Sequence, residues 1–374
     1  MQVPLLDLRG QYHSLKDEII RELEDVCESQ RFILGPKVEQ FEAALAAYCK
    51  TPYAIGVTSG SDALIIALMA EKIGHGDEVI VPSFTFFATA GAVSRVGATP
   101  VFADIDPVTF NLDPADIERK ITKRTRAIIP VHLFGQCADM DAIMDLAAAH
   151  DLIVIEDACQ SIGSEYKGRR AGAIGHYGAF SFFPSKNLGC FGDGGAVTTT
   201  DAARSATLKM LRNHGQGSTY VHTMVGGNFR LDALQAAILS IKLLRLDSWT
   251  ADRQKNASEY RKLFAASKIG DKISLPQEAP YPVRHIYNQF CIEILSADRD
   301  EIRAALGEMG VGCAVYYPLP LHLQECFRSL GGKPGDLPVC EKTAKRILAL
   351  PIYPESTTEM REYVVASLEK LLVK

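Results

Sequence analysis

The chain contains no run of 18 or more apolar residues, so no membrane-spanning helix is expected. Asp7, Arg9, Lys16 and Asp17 interrupt the N-terminal segment before an apolar core can build, so a signal peptide is not expected either. Cys-x-x-Cys pairs are missing. The nine cysteines are scattered and odd in number, which points to free thiols in a reducing compartment and makes the cytoplasm the expected location. The nine histidines form no H-x-x-x-H or H-E-x-x-H pair, which argues against a metal centre. No G-x-G-x-x-G follows a candidate strand, which argues against a dinucleotide enzyme. Long blocks of like charge are also missing. A net charge of −5 gives no general attraction to phosphate backbones, so nucleic acid is not an expected partner.

What remains is an ordinary globular composition, 47% hydrophobic and 23% charged over 374 residues, long enough for about two domains. Val38, Phe41, Leu45 and Tyr48 recur at spacings of three and four and mark one helix face. Short apolar runs follow at 54–57, 78–81, 99–103, 126–131 and 152–155, separated by helical stretches such as 62–71 and 140–150. Continuous apolar strands alternating with helices predict an α/β domain whose sheet is buried on both faces. Residues 178–183 and 194–200 read as further strands, and 231–246 as an apolar helix. Beyond residue 250 the pattern becomes α+β: a strand at 289–295, a helix at 298–308, a strand at 312–317 and a closing helix at 357–372. The expected division is a large domain over 1–250 and a small one over 251–374.

Several segments carry chemistry. Thr58-Ser-Gly-Ser-Asp-Ala-Leu64 follows a strand and opens a helix. Such a turn is either a plain serine cap or an anion site, where free N–H groups meet the helix dipole. Glu156-Asp157 ends an apolar run, at the strand end where α/β sheets place ligands. A carboxylate there either caps the next helix or meets a cationic partner such as a protonated ring nitrogen. Gln160 lies three residues on. In Gly178-Ala-Phe-Ser-Phe-Phe-Pro-Ser-Lys186, the lysine sits among aromatic and small residues. A partly desolvated lysine has a lowered pKa and can form a Schiff base. Ser181 precedes it by five positions and can bind a phosphate. His132, just after a strand, is either packed core or pocket lining.

Together with Pro82-Ser-Phe-Thr-Phe86, Gly192-Asp-Gly-Gly195, Gly227-Asn-Phe-Arg-Leu-Asp-Ala-Leu-Gln235 and Tyr316-Tyr-Pro-Leu-Pro-Leu-His322, these motifs follow the order of fold-type I enzymes dependent on pyridoxal 5′-phosphate (PLP). The set closely resembles the DegT/DnrJ/EryC1/StrS family of sugar aminotransferases over nearly the whole chain. The resemblance implies an α/β fold with a mostly parallel central sheet sandwiched by helices, and a smaller C-terminal α+β domain. It implies that Lys186 is the Schiff-base lysine and proton shuttle, that Asp157 pairs with the pyridine N–H and that Gln160 contacts the ring hydroxyl. Phe86 would stack on the ring, and Gly60, Ser61 and Ser181 would hold the phosphate. Asn228 resembles the asparagine that reaches the phosphate from a partner subunit, which implies a homodimer with shared sites. Arg230, Tyr317 and His322 match positions lining the sugar-nucleotide side.

The expected reaction moves an amino group from L-glutamate to a nucleotide-linked keto sugar, through the pyridoxamine phosphate form and with ping-pong kinetics. Pro184-Ser185 and Gly192-Asp193-Gly194 resemble the branch acting on 3-keto sugars. The expected acceptors are a UDP-linked 3-keto-N-acetylhexosaminuronic acid and a dTDP-linked 3-keto-6-deoxyhexose, with a 4-keto sugar as the alternative. Two rivals stand: a PLP-dependent sugar dehydratase, whose relatives replace the lysine, and a non-catalytic regulator. Lys186 speaks against both.

Overall fold

In a computed structural model describing residues 1–373, the apolar runs become the strands of one seven-stranded sheet. These are β1 (Tyr53–Val57), β2 (Glu78–Pro82), β3 (Thr99–Ala103), β4 (Thr125–Ile128), β5 (Ile153–Asp157), β6 (Tyr177–Ser181) and β7 (Gly195–Thr199). Their order across the sheet is β1-β7-β6-β5-β4-β2-β3. All neighbouring pairs are parallel except the two that β7 makes, with β1 and β6. Six strands therefore point the same way and their C-terminal ends share one edge.

Side chains alternate across a strand, and here alternate residues feed two separate cores. Ile80, Val154, Phe180 and Ala196 join one face. Val79, Val81, Ile155, Ala179 and Val197 join the other. Because both faces are covered by helices, the strands have no polar alternation, and this is what made them legible as apolar runs.

The smaller unit is built on β8 (Ile273–Ser274), β9 (Phe290–Ile294) and β10 (Ile347–Leu350), packed against helices Arg299–Glu308 and Thr358–Leu372. The helix Leu246–Ala266 runs straight through residue 250. We propose a division between a large and a small domain there, supported by the separate hydrophobic core of the C-terminal unit. Val3 packs into that core and pairs with Val311. The strand expected at 312–317 does not form. Ala314 makes a single bridge to Ala349, after which the chain leaves the sheet edge and brings Tyr317 against Phe84 and Phe86. Among the described residues, no helix is long and apolar enough to cross a membrane.

Candidate active site

Four segments converge at the C-terminal edge of the sheet. These are Thr58–Ser61 after β1, Ser83–Phe86 after β2, Asp157 at the end of β5 and Ser181 at the end of β6. This is where an open α/β sheet leaves a crevice for a ligand.

Asp157 is buried. Its backbone is fixed on both sides: its N–H donates to Pro130 O at 2.8 Å, its carbonyl accepts from His132 N–H at 3.1 Å, and it lies opposite Ala179 in β6. Its carboxylate accepts from neutral donors, Thr89 Oγ1 on Oδ2 at 2.8 Å and Cys159 N–H on Oδ1 at 3.2 Å. Buried charge is costly without compensation, and neither donor brings a positive charge.

Its neighbour Glu156 is fully buried and fully satisfied. It accepts from the N–H groups of Gly172, Ile174 and Gly175 at 2.8, 2.7 and 2.6 Å. His132 Nδ1 accepts from Ala138 N–H, so the ring proton lies on Nε2 and is donated to Glu156 at 2.8 Å. His132 is therefore packed core. Glu156→Ala leaves these donors stranded. The expected cost is about 1–3 kcal/mol of folding stability for each donor left without an acceptor, read as a lower midpoint in urea melts with little change in slope.

Lys186 follows β6 on the Phe182–Gly189 loop, its N–H bonded to Phe183 O at 2.8 Å. Burial lowers its pKa, while negative charge at Cys159 and Asp157 would pull it back up. The net effect enlarges the neutral, nucleophilic fraction of the amine near pH 7.

The turn after β1 is both a serine cap and a set of open donors. Ser59 Oγ accepts from Asp62 N–H at 3.1 Å and caps the helix Gly60–Ala70. The N–H groups of Gly60 and Ser61 precede the first helical bond and remain free for a ligand. The turn lies tightly on the strand ends. A Cβ on Gly60 would sit 2.7 Å from Ser181 Cβ, and one on Gly195 would sit 2.4 Å from Ser59 O. Glycine at these positions lets the Gly60–Ser61 turn close against Ser181 as one cup.

Gln160 is buried between two partners: its Oε1 accepts from Phe134 N–H and its Nε2 donates to Tyr317 Oη, each at 2.9 Å. Tyr317, expected on the sugar side, thus joins Gln160, Phe84 and Phe86. Burial drives its phenol pKa far up, with Gln160 opposing and Asp157 adding. Phe86 remains 57% exposed, leaving its ring available to a planar ligand. Arg230 pairs across from Val57 at the end of β1. Its Nη1 donates to Asn213 Oδ1 at 2.8 Å, and its Nε is buried without a partner among the described residues. Asn228 is exposed beside it. His322 is buried, with Nδ1 2.7 Å from Ser83 Oγ and Nε2 3.3 Å from Glu341. Both of its ring nitrogens are engaged by protein, which sets it behind the Ser83 turn rather than among the open groups. The sequence singled out neither Thr89 nor Cys159. The only available signal for Thr89 was its spacing of four from Thr85.

Open N–H donors, a buried carboxylate whose hydrogen-bond donors are all neutral, an exposed aromatic face and an amine of lowered pKa on one edge fit a phosphorylated pyridine aldehyde. A model of the DegT/DnrJ/EryC1/StrS aminotransferase family matches residues 13–369. The chain belongs to this family. It is 51% identical to a Geobacillus stearothermophilus protein named pleiotropic regulatory protein, over 98% of this chain and 97% of that one. It is 46% identical to the dTDP-3-amino-3,4,6-trideoxy-alpha-D-glucose transaminase of Streptomyces venezuelae, over 94% and 92%. The structure of NtdA from Bacillus subtilis, solved with pyridoxamine phosphate bound, superposes with a TM-score of 0.93 at 34% identity, over 100% of this chain and 86% of that one. This family member shares the fold of the fold-type I aminotransferases.

Proposed function

We propose that this protein transfers the amino group of L-glutamate to C3 of a nucleotide-linked keto sugar. The coarser assignment follows from membership: it is a PLP-dependent sugar nucleotide aminotransferase. The observation that carries the reading is the convergence of Lys186, Asp157 and the Gly60–Ser61–Ser181 cup on one sheet edge. Amination at C3 is supported by the Streptomyces venezuelae relative, named for a 3-amino sugar. Lys186 is in place, which favours catalysis over a purely regulatory role.

When bound, PLP serves as an electron sink for the carbanion left when an amino acid loses its α-proton. The chain's residues do the rest. The Gly60 and Ser61 N–H groups and the Ser181 hydroxyl would hold the phosphate. Asp157 would hold a proton on the ring nitrogen, and Phe86 would cover one ring face. Lys186 Nζ, kept partly neutral by burial, takes the substrate proton and returns it on the other side of the exchange. Arg230, with its buried Nε unpaired, suits an anionic group of the acceptor, a uronate carboxylate or a nucleotide phosphate.

We also propose a homodimer in which Asn228 completes the neighbouring phosphate site. Exposed Asn228 and the exposed apolar Tyr220, Val221 and Val225 on the same excursion support it.

The test converts the enzyme with glutamate to its amino form, removes the donor, then offers 3-keto and 4-keto sugars on UDP and dTDP. A 3-keto acceptor is expected to restore the original cofactor spectrum, with parallel double-reciprocal plots in steady state. Restoration by 4-keto sugars alone would move the reaction to C4.

A further inference from the structure

Behind Asp157 lies a buried chain of hydroxyls that the mechanism above does not use. Thr89 is fully buried and Thr85 nearly so. Thr89 Oγ1 donates to Asp157 Oδ2 at 2.8 Å. A hydroxyl has one proton to give, so the 3.1 Å contact between Thr85 and Thr89 is Thr85 donating to Thr89. Thr85 thereby polarises the hydroxyl that holds the carboxylate, and buried chains of this kind strengthen along their length. The opposite oxygen, Oδ1, is held by Cys159 N–H. With one donor on each oxygen and the backbone pinned between Pro130 and Ala179, the carboxylate plane has a single orientation. The same turn carries Phe86, whose carbonyl accepts from Thr89 N–H at 3.2 Å. The residue offered to the ring face closes the segment after β2, and the residue aiming the carboxylate lies three positions on, in the first turn of the helix Ala88–Arg95, with one hydrogen bond joining them.

We infer that Thr89, backed by Thr85, is a positioning residue that orients Asp157 toward the cofactor's ring nitrogen and couples that orientation to the aromatic wall at Phe86. This deepens the assignment of Asp157 above and rests on it. Thr89 itself acts only through Asp157 and touches no reacting atom. A hydroxyl packed there only to fill space would be replaced by valine at little catalytic cost.

The experiment compares Thr89→Val, Thr89→Ser, Thr85→Val and Asp157→Asn as purified holoenzymes. It reads the glutamate half-reaction, the pH titration of the bound cofactor's visible band, and thermal stability. Hydrogen bonds to charged groups are among the stronger ones. Thr89→Val is therefore expected to slow the saturated half-reaction by about 10- to 100-fold, with the glutamate concentration for half-saturation nearly unchanged. It should also shift the band's titration midpoint. Thr89→Ser keeps the donor and should recover most of both losses. Thr85→Val should show the same pattern more weakly. Three results overturn the inference: Thr89→Val matching wild type in rate and titration, Thr89→Ser failing as badly as Thr89→Val, or a loss confined to thermal stability. Asp157→Asn separates the two levels. If it is inert, the Asp157 assignment itself falls. If it is crippled while Thr89→Val is normal, only the role of Thr89 falls.

Discussion

Lys186→Ala is expected to lower turnover by about 10²–10⁴-fold, the usual contribution of a positioned acid–base group, while the protein still folds and binds cofactor. The expectation comes from how little else Lys186 does. Its residue is only half-buried, and what perturbs its amine is burial and nearby charge rather than a hydrogen bond. Removing the side chain therefore strands no partner. The loss should fall on the saturated rate of both half-reactions, since the same nitrogen moves the proton in each. Small primary amines added to the variant should restore part of the rate, because they supply a base to the vacated space. A variant that turns over at the wild-type rate would remove Lys186 from the chemistry.

Asp157→Asn is the second large effect. Asparagine keeps the shape: its Oδ1 accepts from Cys159 N–H, and its Nδ2 donates to Thr89 Oγ1, whose proton then turns to Thr85, so the fold should tolerate it. What it removes is the negative charge proposed to face the ring nitrogen. An opposite charge at contact distance favours a protonated partner by about one to three pKa units, which translates to a rate loss of about 10- to 10³-fold if the proton is needed in every turnover. The predicted signature is slow α-proton loss from glutamate with near-normal thermal stability. Asp157→Ala should cost stability as well, about 1–3 kcal/mol, because it leaves the buried Thr89 hydroxyl without an acceptor. A normal half-reaction in Asp157→Asn would show that its charge plays no part.

The two residues were legible in the sequence for different reasons. Asp157 ends a strand that begins with the apolar Ile153-Val154-Ile155, and a carboxylate there contradicts its surroundings unless a cationic or N–H partner meets it. Lys186 by itself carries no such contradiction. It stood out through the order of the motifs around it and the family they resemble. The large sheet was readable because both faces are buried, so Val79-Ile80-Val81 and Ile153-Val154-Ile155 appear as unbroken apolar runs. The small sheet was harder. Ile347–Leu350 follows a helix directly, and four apolar residues do not by themselves separate a strand from a helix turn. Residues 312–317 look like a strand but make one bridge before turning to the site.

Side-chain partnerships crossing between elements were not legible at all. His322 sits in a motif that resembles the substrate wall, yet Ser83 and Glu341, 239 and 19 residues away, occupy its ring. Tyr317 meets Gln160 across 157 residues. Thr89 reaches Asp157 across 68. Pairings of this kind depend on the strand order, which places β2 and β5 on either side of β4, and local sequence does not encode that order.

The role of Lys186 is tested most directly by reducing the purified holoenzyme with borohydride, digesting it and locating the cofactor-bearing peptide by mass spectrometry. The visible cofactor band is expected to disappear, with the adduct on Lys186 alone. An adduct on any other lysine, or none at all on protein that holds its cofactor, would contradict it.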